Sequence, residues 1–517
     1  MDSKSHKLTV TPTQLRNARK RRSKKKLQRK AQNESMSTPA NGKRSKSLGS
    51  KDCSDGDEAL PKSRKRPRNS QSSSKRRLDP SLEYIDNPLE APLIQQAKEF
   101  FKGKTSEFPV YLGPKYKWRT LVKLAVRPNS KGKLCIGMFA KTSHEIVPDS
   151  GTSPLHHPAI NRIVQLVEQR ARKYNVPAFS EMDDPRTIST SRLKYVTASL
   201  ERSTQKIQLT LICQVPNKDS EEKVEDKEDA CDVLSHRLWE EAGNTQLQSL
   251  WIHTHPQSFS KHNNAIYAIN GGTWKTVFGP HHGAQESICP DAQSASLKSV
   301  VQSKGEKEAF TRSKFPPTLY FPPNVFRQAN IDAFSKIVQE ICEYLNRLRL
   351  NSTFPNNPQP SVLELYGGVG TIGLGVAWAC SCTLICSDEN PYNRACFERS
   401  AVCFTPDQCR YIPHNAMDMV TVPHHAKYLK QADWLVVDPP RKGLEPVVCQ
   451  ALCEKALQAS VLIYVSCGFT AFQRDYQFLS QNGWKLDQAS GHVLFPGSDA
   501  IETLAIFKRR SSAAKTF

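Results

Sequence analysis

Short apolar runs alternate with helical segments over the last third of the chain, and this alternation constrains the fold more than any other feature. An amphipathic helix comes first, with apolar residues at three- and four-residue steps over residues 331–348. Six runs then predict strands, at residues 362–365, 383–386, 434–437, 462–465, 492–495 and 502–507. Alternating strands and helices form a mostly parallel sheet with helices on both faces. Residues 321–517 are therefore predicted to form an α/β domain.

A glycine-rich turn joins the first of these strands to the following helix. Gly368, Gly370 and Gly373 form the pattern G-x-G-x-x-G, which permits a tight turn and a close approach of a ligand to the backbone. Asp388, at the end of the next strand, suits the diol of a ribose, with Glu389 as the alternative. This pattern predicts a nucleotide-like cofactor, and taken alone it also fits NAD.

Two further strands end in residues that can carry chemistry. Asp438-Pro439-Pro440-Arg441 ends one strand, and the two prolines fix the turn that holds the carboxylate. Cys467 ends the next strand along the chain. Ligands of open α/β sheets bind at the carboxyl ends of the strands, so we expect both residues at the ligand edge. A thiolate is the reacting species of a nucleophilic cysteine, so we expect a lowered pKa for Cys467.

The 517-residue chain has a formal charge of +23, which predicts a polyanionic partner, most simply nucleic acid. Residues 1–88 are rich in Ser, Lys and Arg and predict a disordered basic tail. Ten of the fifteen residues over 16–30 are Lys or Arg. This density favours a nuclear or nucleolar location, with a cytoplasmic one as the alternative, and nonspecific affinity for RNA.

Residues 89–320 predict a central α+β region with polar insertions near 217–232 and 284–313. Residues 193–200 and 206–215 are typical of a hairpin, and residues 160–174 have helical spacing. No run of 18 apolar residues occurs, so we expect no membrane span. The six cysteines that lie close together over residues 380–409 match no zinc spacing, and we expect no metal site.

These motifs resemble those of the RNA uracil-5-methyltransferase family, over about residues 105–510. The similarity rests on four patterns and a weaker fifth: Phe326-Arg327-Gln328-Ala329-Asn330, Leu365-Tyr366-Gly367-Gly368-Val369-Gly370, Asp438-Pro439-Pro440-Arg441, Val465-Ser466-Cys467, and Phe495-Pro496 followed by Ile501-Glu502. The resemblance implies a class I Rossmann-like methyltransferase domain with a seven-stranded, mostly parallel sheet, preceded by an RNA-binding α+β region.

The resemblance also implies a cofactor, a substrate and a set of site residues. The cofactor would be S-adenosylmethionine, and the substrate a uridine in RNA, with tRNA favoured over rRNA. The implied cofactor contacts are Gln328, Tyr366, Asp388 and Asp438, with Cys467 as nucleophile and Glu502 as proton acceptor. We expect the protein to act as a monomer.

The chain departs from the family at three places. Many members have F-P-H-T-x-H-V-E, whereas this chain lacks both histidines between Phe495 and Glu502. A glycine, Gly468, follows the cysteine where many members have Asn-Pro. No cysteine falls between Cys53 and Cys135, so we expect no iron–sulfur cluster. Two alternatives stay open: a noncatalytic RNA-binding protein that keeps the fold, and an NAD-dependent oxidoreductase.

Overall fold

The computed structural model describes eight stretches of the chain, residues 79–140, 146–149, 151–182, 190–215, 229–255, 272–287, 316–351 and 359–510. The predicted tail up to residue 78 and most of both predicted insertions lie outside these stretches.

The described strands, in chain order, are β1 (Val110–Leu112), β2 (Leu121–Pro128), β3 (Leu134–Phe139), β4 (Ile146–Pro148), β5 (Arg192–Glu201), β6 (Lys206–Gln214), β7 (Leu247–His255), β8 (Thr273–Phe278), β9 (Ala284–Glu286), β10 (Leu319–Phe321), β11 (Ser361–Leu365), β12 (Thr383–Ser387), β13 (Cys409–Ile412), β14 (Trp434–Val437), β15 (Val461–Ser466), β16 (Trp484–Val493) and β17 (Glu502–Arg509). The α-helices are α1 (Pro92–Phe101), α2 (Pro158–Lys173), α3 (Ala230–Ala242), α4 (Ile331–Asn351), α5 (Thr371–Cys380), α6 (Asn393–Ser400), α7 (Ala416–Thr421), α8 (Pro423–Gln431), α9 (Pro446–Leu452) and α10 (Phe469–Gln481).

Eight strands form the larger sheet, in the order β1-β16-β17-β15-β14-β11-β12-β13. The five strands from β11 to β15 run parallel to their neighbours among them, and β17 is antiparallel to β15 and β16. The carboxyl ends of the parallel strands therefore meet at one edge, where the predicted motif residues stand. The predicted α/β fold is confirmed, with one strand more than expected.

The additional strand is β1, which pairs in parallel with β16 and places Val110 opposite Gly491. From sequence alone this segment belongs to the central region, because three residues carry no periodicity that tells which sheet they join. Helix α1 belongs to the larger sheet as well, since Ile94 and Phe101 pack in one core with Leu435 and other residues of its strands. A domain that begins at residue 321 would leave these elements out.

One strand of this sheet was predicted with wrong bounds and another was missed. The strand predicted at residues 492–495 is the end of β16, which begins at Trp484 and carries an irregularity in register between Leu486 and Gln488. Polar residues near that irregularity interrupt the apolar pattern and hide the strand. Strand β13 was missed because the charged Arg410 interrupts its apolar run.

The sheet lies between two apolar cores. One core contains α4 and α5, and it also encloses Cys380, Cys382 and Cys386, which behave as small apolar residues. The opposite core contains α1 together with residues of α9 and α10. The amphipathic helix predicted over residues 331–348 is confirmed as α4.

The central region contains a seven-stranded sheet in the order β4-β3-β2-β5-β6-β7-β8. All neighbouring pairs are antiparallel except β6 and β7, which run parallel and are connected through α3. Apolar residues of α2 and α3 pack against this sheet. The predicted hairpin is confirmed as β5 and β6, which face each other from Arg192–Gln214 to Glu201–Lys206.

Residues 79–88, which the composition assigned to the disordered tail, are folded. Short 3₁₀ turns form at Pro80–Leu82 and Pro88–Glu90. The Tyr84 amide donates to the Gly497 carbonyl at 2.8 Å, and the Tyr84 side chain packs against the core that contains α1. The apolar residues in this stretch therefore attach it to the larger sheet, and the tail ends earlier than predicted.

Candidate active site

The glycine-rich turn follows β11 and leads into α5. Gly370 precedes the helix with φ 83°, and a Cβ atom there would lie 2.6 Å from the Phe397 ring, so only glycine fits. Gly368 also has positive φ, but a Cβ atom there would meet no protein atom within 4 Å. The turn is therefore packed on one side and open on the other, as close approach of a ligand requires.

Three of the four predicted cofactor residues line one recess beside this turn. Gln328, Tyr366 and Asp438 border it together with Gly368 and the exposed Phe326. The cofactor recess measures about 450 Å³, including its open mouth. The residues that line the recess fit a nucleoside-containing ligand such as S-adenosylmethionine.

Asp388, the fourth residue, secures the turn from behind. Its Oδ2 accepts a hydrogen bond from the Gly368 amide at 3.1 Å, and its Oδ1 accepts from the Asn390 amide at 2.9 Å and the Asn393 side chain at 3.0 Å. Asp388 is not among the residues that line the recess. The neighbouring Glu389 is exposed. Asp388 thus shapes the turn, and its contact with a ribose stays a prediction.

A charged cluster anchored in the central region holds Gln328 in place. The preceding residue, Arg327, is buried and donates to the Leu200 carbonyl at 2.8 Å and to the Glu286 carboxylate. Arg202 donates to the same carboxylate at 2.7 Å. The side chain of Asn330 then accepts from an amide at the start of α4. The cofactor recess is therefore connected to the central sheet through buried polar contacts.

Cys467 and Glu502 lie beside each other at the ligand edge. Ser466 pairs with Thr503 across the antiparallel strands β15 and β17, so the next residue of one strand and the preceding residue of the other are neighbours. Glu502 is buried, whereas Cys467 is exposed. The strand ends thus bring together the two residues predicted as nucleophile and base.

The expected lowering of the Cys467 pKa is wrong for the ligand-free protein. The protein walls around the exposed thiol partly desolvate it and raise its pKa to about 11, and the carboxylates of Glu502 and Asp438 contribute to that rise. Arg441, in the Pro-Pro turn, acts in the opposite direction. The sequence could not reveal this balance, because these charges belong to other strands and turns.

The carboxyl groups near the thiol are themselves perturbed. Burial raises the pKa of Asp438 to about 7, and the nearby Asp388 contributes to this rise. Burial also raises the pKa of Glu502 well above its ordinary value, with Asp438 adding to the effect and Arg441 opposing it. Asp438 can therefore exchange protons near neutral pH, and Glu502 holds a proton more firmly than an ordinary carboxyl group does.

Sequence reasoning missed Glu364, which lies under the glycine-rich turn. It is buried, its Oε1 accepts from the Gly373 amide at 3.0 Å, and burial raises its pKa to about 8. It is therefore mostly protonated at neutral pH, so that its burial does not cost a full charge. The signal was present in the sequence, as an acidic residue inside the apolar run at 362–365.

His492 was also missed, and it stands directly opposite Glu502 in the pairing of β16 with β17. Its Nε2 lies 3.2 Å from the Glu340 carboxylate and 3.1 Å from the Ser490 hydroxyl. This chain therefore places a histidine next to Glu502 from the neighbouring strand, although both histidines of the F-P-H-T-x-H-V-E pattern are absent.

Steric crowding explains why a glycine, Gly468, follows Cys467. A Cβ atom on Gly468 would lie 2.3 Å from the Arg441 carbonyl oxygen, well inside contact distance. A larger residue would push apart the two turns that carry Cys467 and Asp438. This departure from the family therefore reflects a close approach of two turns at the site.

The described residues contain neither a metal-binding cluster nor a membrane-spanning helix. Within them, no group of three or more His, Cys, Asp or Glu side chains is arranged to hold a metal ion. No helix in the described part of the chain is long and apolar enough to cross a membrane.

Comparisons with known proteins agree with the expected relationship, although no family model matches the chain. A protein of Protochlamydia amoebophila described as an uncharacterized RNA methyltransferase is 27% identical over 421 residues, or 81% of this chain and 93% of that protein. The 23S rRNA (uracil(1939)-C(5))-methyltransferase RlmD of Chromohalobacter salexigens is 29% identical over 189 residues, 36% of this chain and 35% of its own.

A solved structure shows the same fold. The Pyrococcus abyssi tRNA (uracil-54, C5)-methyltransferase, crystallised with S-adenosyl-L-homocysteine, aligns with a TM-score of 0.54 and 16% identity, over 80% of this chain and 82% of that one. The predicted resemblance and the predicted fold are confirmed. Over most of its length the chain is therefore similar to a protein described as an RNA methyltransferase, and it shares the fold of a methyltransferase crystallised with S-adenosyl-L-homocysteine. Both similarities favour an S-adenosylmethionine-dependent methyltransferase over the NAD-dependent alternative.

Proposed function

We propose that this methyltransferase methylates carbon 5 of a uridine in RNA through a covalent adduct with Cys467. The observation that carries the proposal is the placement of Cys467 beside Glu502 at the edge of the sheet where the cofactor recess opens. A methyltransferase that acts on a more nucleophilic atom needs no cysteine at this position. We favour tRNA as the substrate class, with rRNA as the alternative. The protein named for tRNA methylation aligns over 80% of this chain, whereas the one named for rRNA methylation aligns over 36%.

The chemistry requires both side chains. Carbon 5 of uracil is a poor nucleophile until the Cys467 thiolate adds to carbon 6 and converts the ring to an enolate. S-adenosylmethionine supplies the methyl group that carbon 5 takes up. Glu502 then removes the proton from carbon 5, the carbon 6–sulfur bond breaks, and the electron pair returns to the thiolate. The raised pKa of Glu502 makes its carboxylate a stronger base for this step.

The exposure of the thiol fits a base that is taken out of a nucleic acid. Stacking covers the faces of a uracil ring in a helix, so the nucleotide must be extruded before a thiolate can reach carbon 6. Cys467 is the one cysteine among the described residues that is exposed, whereas the others are buried or partly buried. An entering base therefore reaches this sulfur atom without movement of the strands.

The test compares Cys467→Ala with Glu502→Gln in a methylation assay on RNA, followed by a denaturing gel. Cys467→Ala should abolish turnover and form no covalent complex, while RNA binding survives because it is mostly electrostatic. Glu502→Gln should stall after methyl transfer and accumulate a slow-migrating adduct that requires S-adenosylmethionine.

Two results would contradict the assignment. Wild-type turnover by Glu502→Gln would show that Glu502 is not the base. An adduct that persists in Cys467→Ala would show that Cys467 is not the nucleophile. Full RNA binding without any methyl incorporation by the wild-type protein would instead favour the noncatalytic RNA-binding alternative. Mass spectrometry of tRNA and rRNA nucleosides from a deletion strain distinguishes the two substrate classes by which pool loses 5-methyluridine.

The tail and the assembly state complete the proposal. We propose that residues 1–78 direct the protein to the nucleus or nucleolus and add nonspecific affinity for RNA, and that the protein is a monomer. Deleting these residues should flatten the salt dependence of RNA binding, because fewer counterions are released, and should reduce nuclear accumulation. An unchanged salt slope with unchanged location would reject both roles, and light scattering of the full chain tests the monomer.

A further inference from the structure

A second hollow runs along the free edge of the larger sheet, away from the cofactor recess. Strand β13 is the last strand of that sheet, and the hollow extends along it from Cys409 to His414 between α6 and α8. Counting its open mouth, it measures about 1750 Å³, against about 450 Å³ for the cofactor recess. We call it the β13 groove. None of the residues assigned to methyl transfer lines it.

Positive charge dominates the walls of the β13 groove. The exposed side chains of Arg394, Arg410 and Lys427 border it, and three histidines from the following segments join them. Among the described residues that line it, Glu398 is the single carboxylate, and it pairs with Arg394 at 2.7 Å. Two of the three strong cations therefore have no carboxylate of the groove to neutralise them, and the groove as a whole attracts anions.

Aromatic rings lie beside these cations. The Lys427 ammonium is 4.9 Å and the Arg410 guanidinium 5.8 Å from the centre of the Tyr428 ring. Arg410 also donates to the Tyr428 hydroxyl at 3.2 Å. Phe404 and Tyr411 line the same hollow. Flat rings and guanidinium planes beside cations are the combination that binds bases and phosphates of single-stranded nucleic acid.

The groove also lies within reach of the active site. Four inter-strand steps separate β13 from β15, which carries Cys467 at its end. At about 4.8 Å per step, the distance across the sheet is roughly 19 Å. This equals about six stacked nucleotides at roughly 3.4 Å each. Strands β13 and β15 run in the same direction within the sheet. His414, which follows β13, therefore lies at the same edge of the sheet as Cys467, which follows β15.

From these four observations we propose that the β13 groove binds a single-stranded stretch of the substrate RNA, about six nucleotides from the methylated base. The proposal rests on the proposed function, because it takes RNA as the partner. It adds a second contact that the central region and the tail do not supply. An acidic peptide could also meet the positive charge, but it would make no use of the aromatic rings.

The experiment uses the full chain and a dodecauridylate that carries 4-thiouridine, which attaches to nearby side chains under ultraviolet light. In the wild-type protein, peptides containing Arg410 or Tyr428 should be recovered with RNA attached. The double variant Arg410→Gln, Lys427→Gln should lose this attachment. Each lost phosphate contact lowers the salt slope for single strands by about 0.7, which corresponds to about fivefold in affinity at about 0.1 M salt.

Lys430→Gln is the matched control, because Lys430 is exposed on the same helix, α8, but does not line the groove. The proposal expects this variant to keep the attachment and the wild-type salt slope. In methyl transfer to cellular RNA, the double variant should raise KM by roughly 25-fold, two contacts of about fivefold each, and leave kcat unchanged. All variants should melt at the wild-type temperature, since the substituted side chains are exposed.

Three outcomes would overturn the inference. The first is crosslinks confined to other peptides, the second is an equal loss of affinity in Lys430→Gln, and the third is competition by polyglutamate but not by unlabelled dodecauridylate. Failure of the proposed function would look different. In that case methyl incorporation would survive Cys467→Ala, whatever happens at the groove.

Discussion

Cys467 should react slowly with alkylating reagents in the ligand-free enzyme, because its surroundings favour the neutral thiol. A pKa of about 11 leaves about one thiol in a thousand ionised at pH 8, whereas the ordinary value of 9.0 leaves about one in ten. Only the thiolate attacks iodoacetamide, so the rate at pH 8 should be about 100-fold below that of an ordinary thiol. The logarithm of the rate should climb by one unit per pH unit up to about pH 10.

Substitution of the neighbouring charges then tests the cause of this shift. Glu502→Gln removes a carboxylate that disfavours the thiolate, so alkylation at pH 8 should accelerate, while Arg441→Gln removes the opposing cation and should slow it. Mass spectrometry of the peptide that contains Cys467 measures each rate, and Cys467→Ser supplies the blank. A rate that levels off near pH 9 in the wild type would refute the reasoning, as would a slower reaction in Glu502→Gln.

Three further predictions concern the structure around the site. Asp388→Ala should weaken S-adenosylhomocysteine binding by roughly 10- to 100-fold in calorimetry, because a charge-assisted hydrogen bond contributes about 1.5–3 kcal/mol, and an unchanged Kd would exclude its role in shaping the turn. Glu286→Ala should lower the free energy of unfolding in urea by about 3–5 kcal/mol, because it leaves Arg327 buried without its charge partner. As a control, Glu240→Ala breaks an exposed ion pair and should lower it by less than about 1 kcal/mol. Gly468→Ala should reduce kcat far more than it changes the Kd for the cofactor, since the added methyl group displaces the catalytic turn; wild-type kcat would show that this turn can yield.

The fold and much of the site could be predicted because their signals are local. The glycine-rich turn, the Pro-Pro turn after Asp438 and the exposed Cys467 each end a strand, and parallel strands bring such ends together. What could not be predicted depends on contacts between distant segments. The raised pKa of Cys467 comes from partial desolvation by the surrounding protein and from Glu502 on another strand. The need for Gly468 comes from the carbonyl of Arg441, which belongs to the turn after a different strand.

The pairing of β1 with β16 makes the catalytic domain discontinuous along the chain. Val110 and Gly491 pair across these two strands, and the whole central sheet is inserted between them in sequence. A fragment that begins at residue 321 would expose the hydrogen-bonding edge of β16, and such an edge readily pairs with other chains. Contacts between residues so far apart along the chain also form late in folding. During synthesis, β1 therefore cannot pair with β16 until nearly the entire chain has been made.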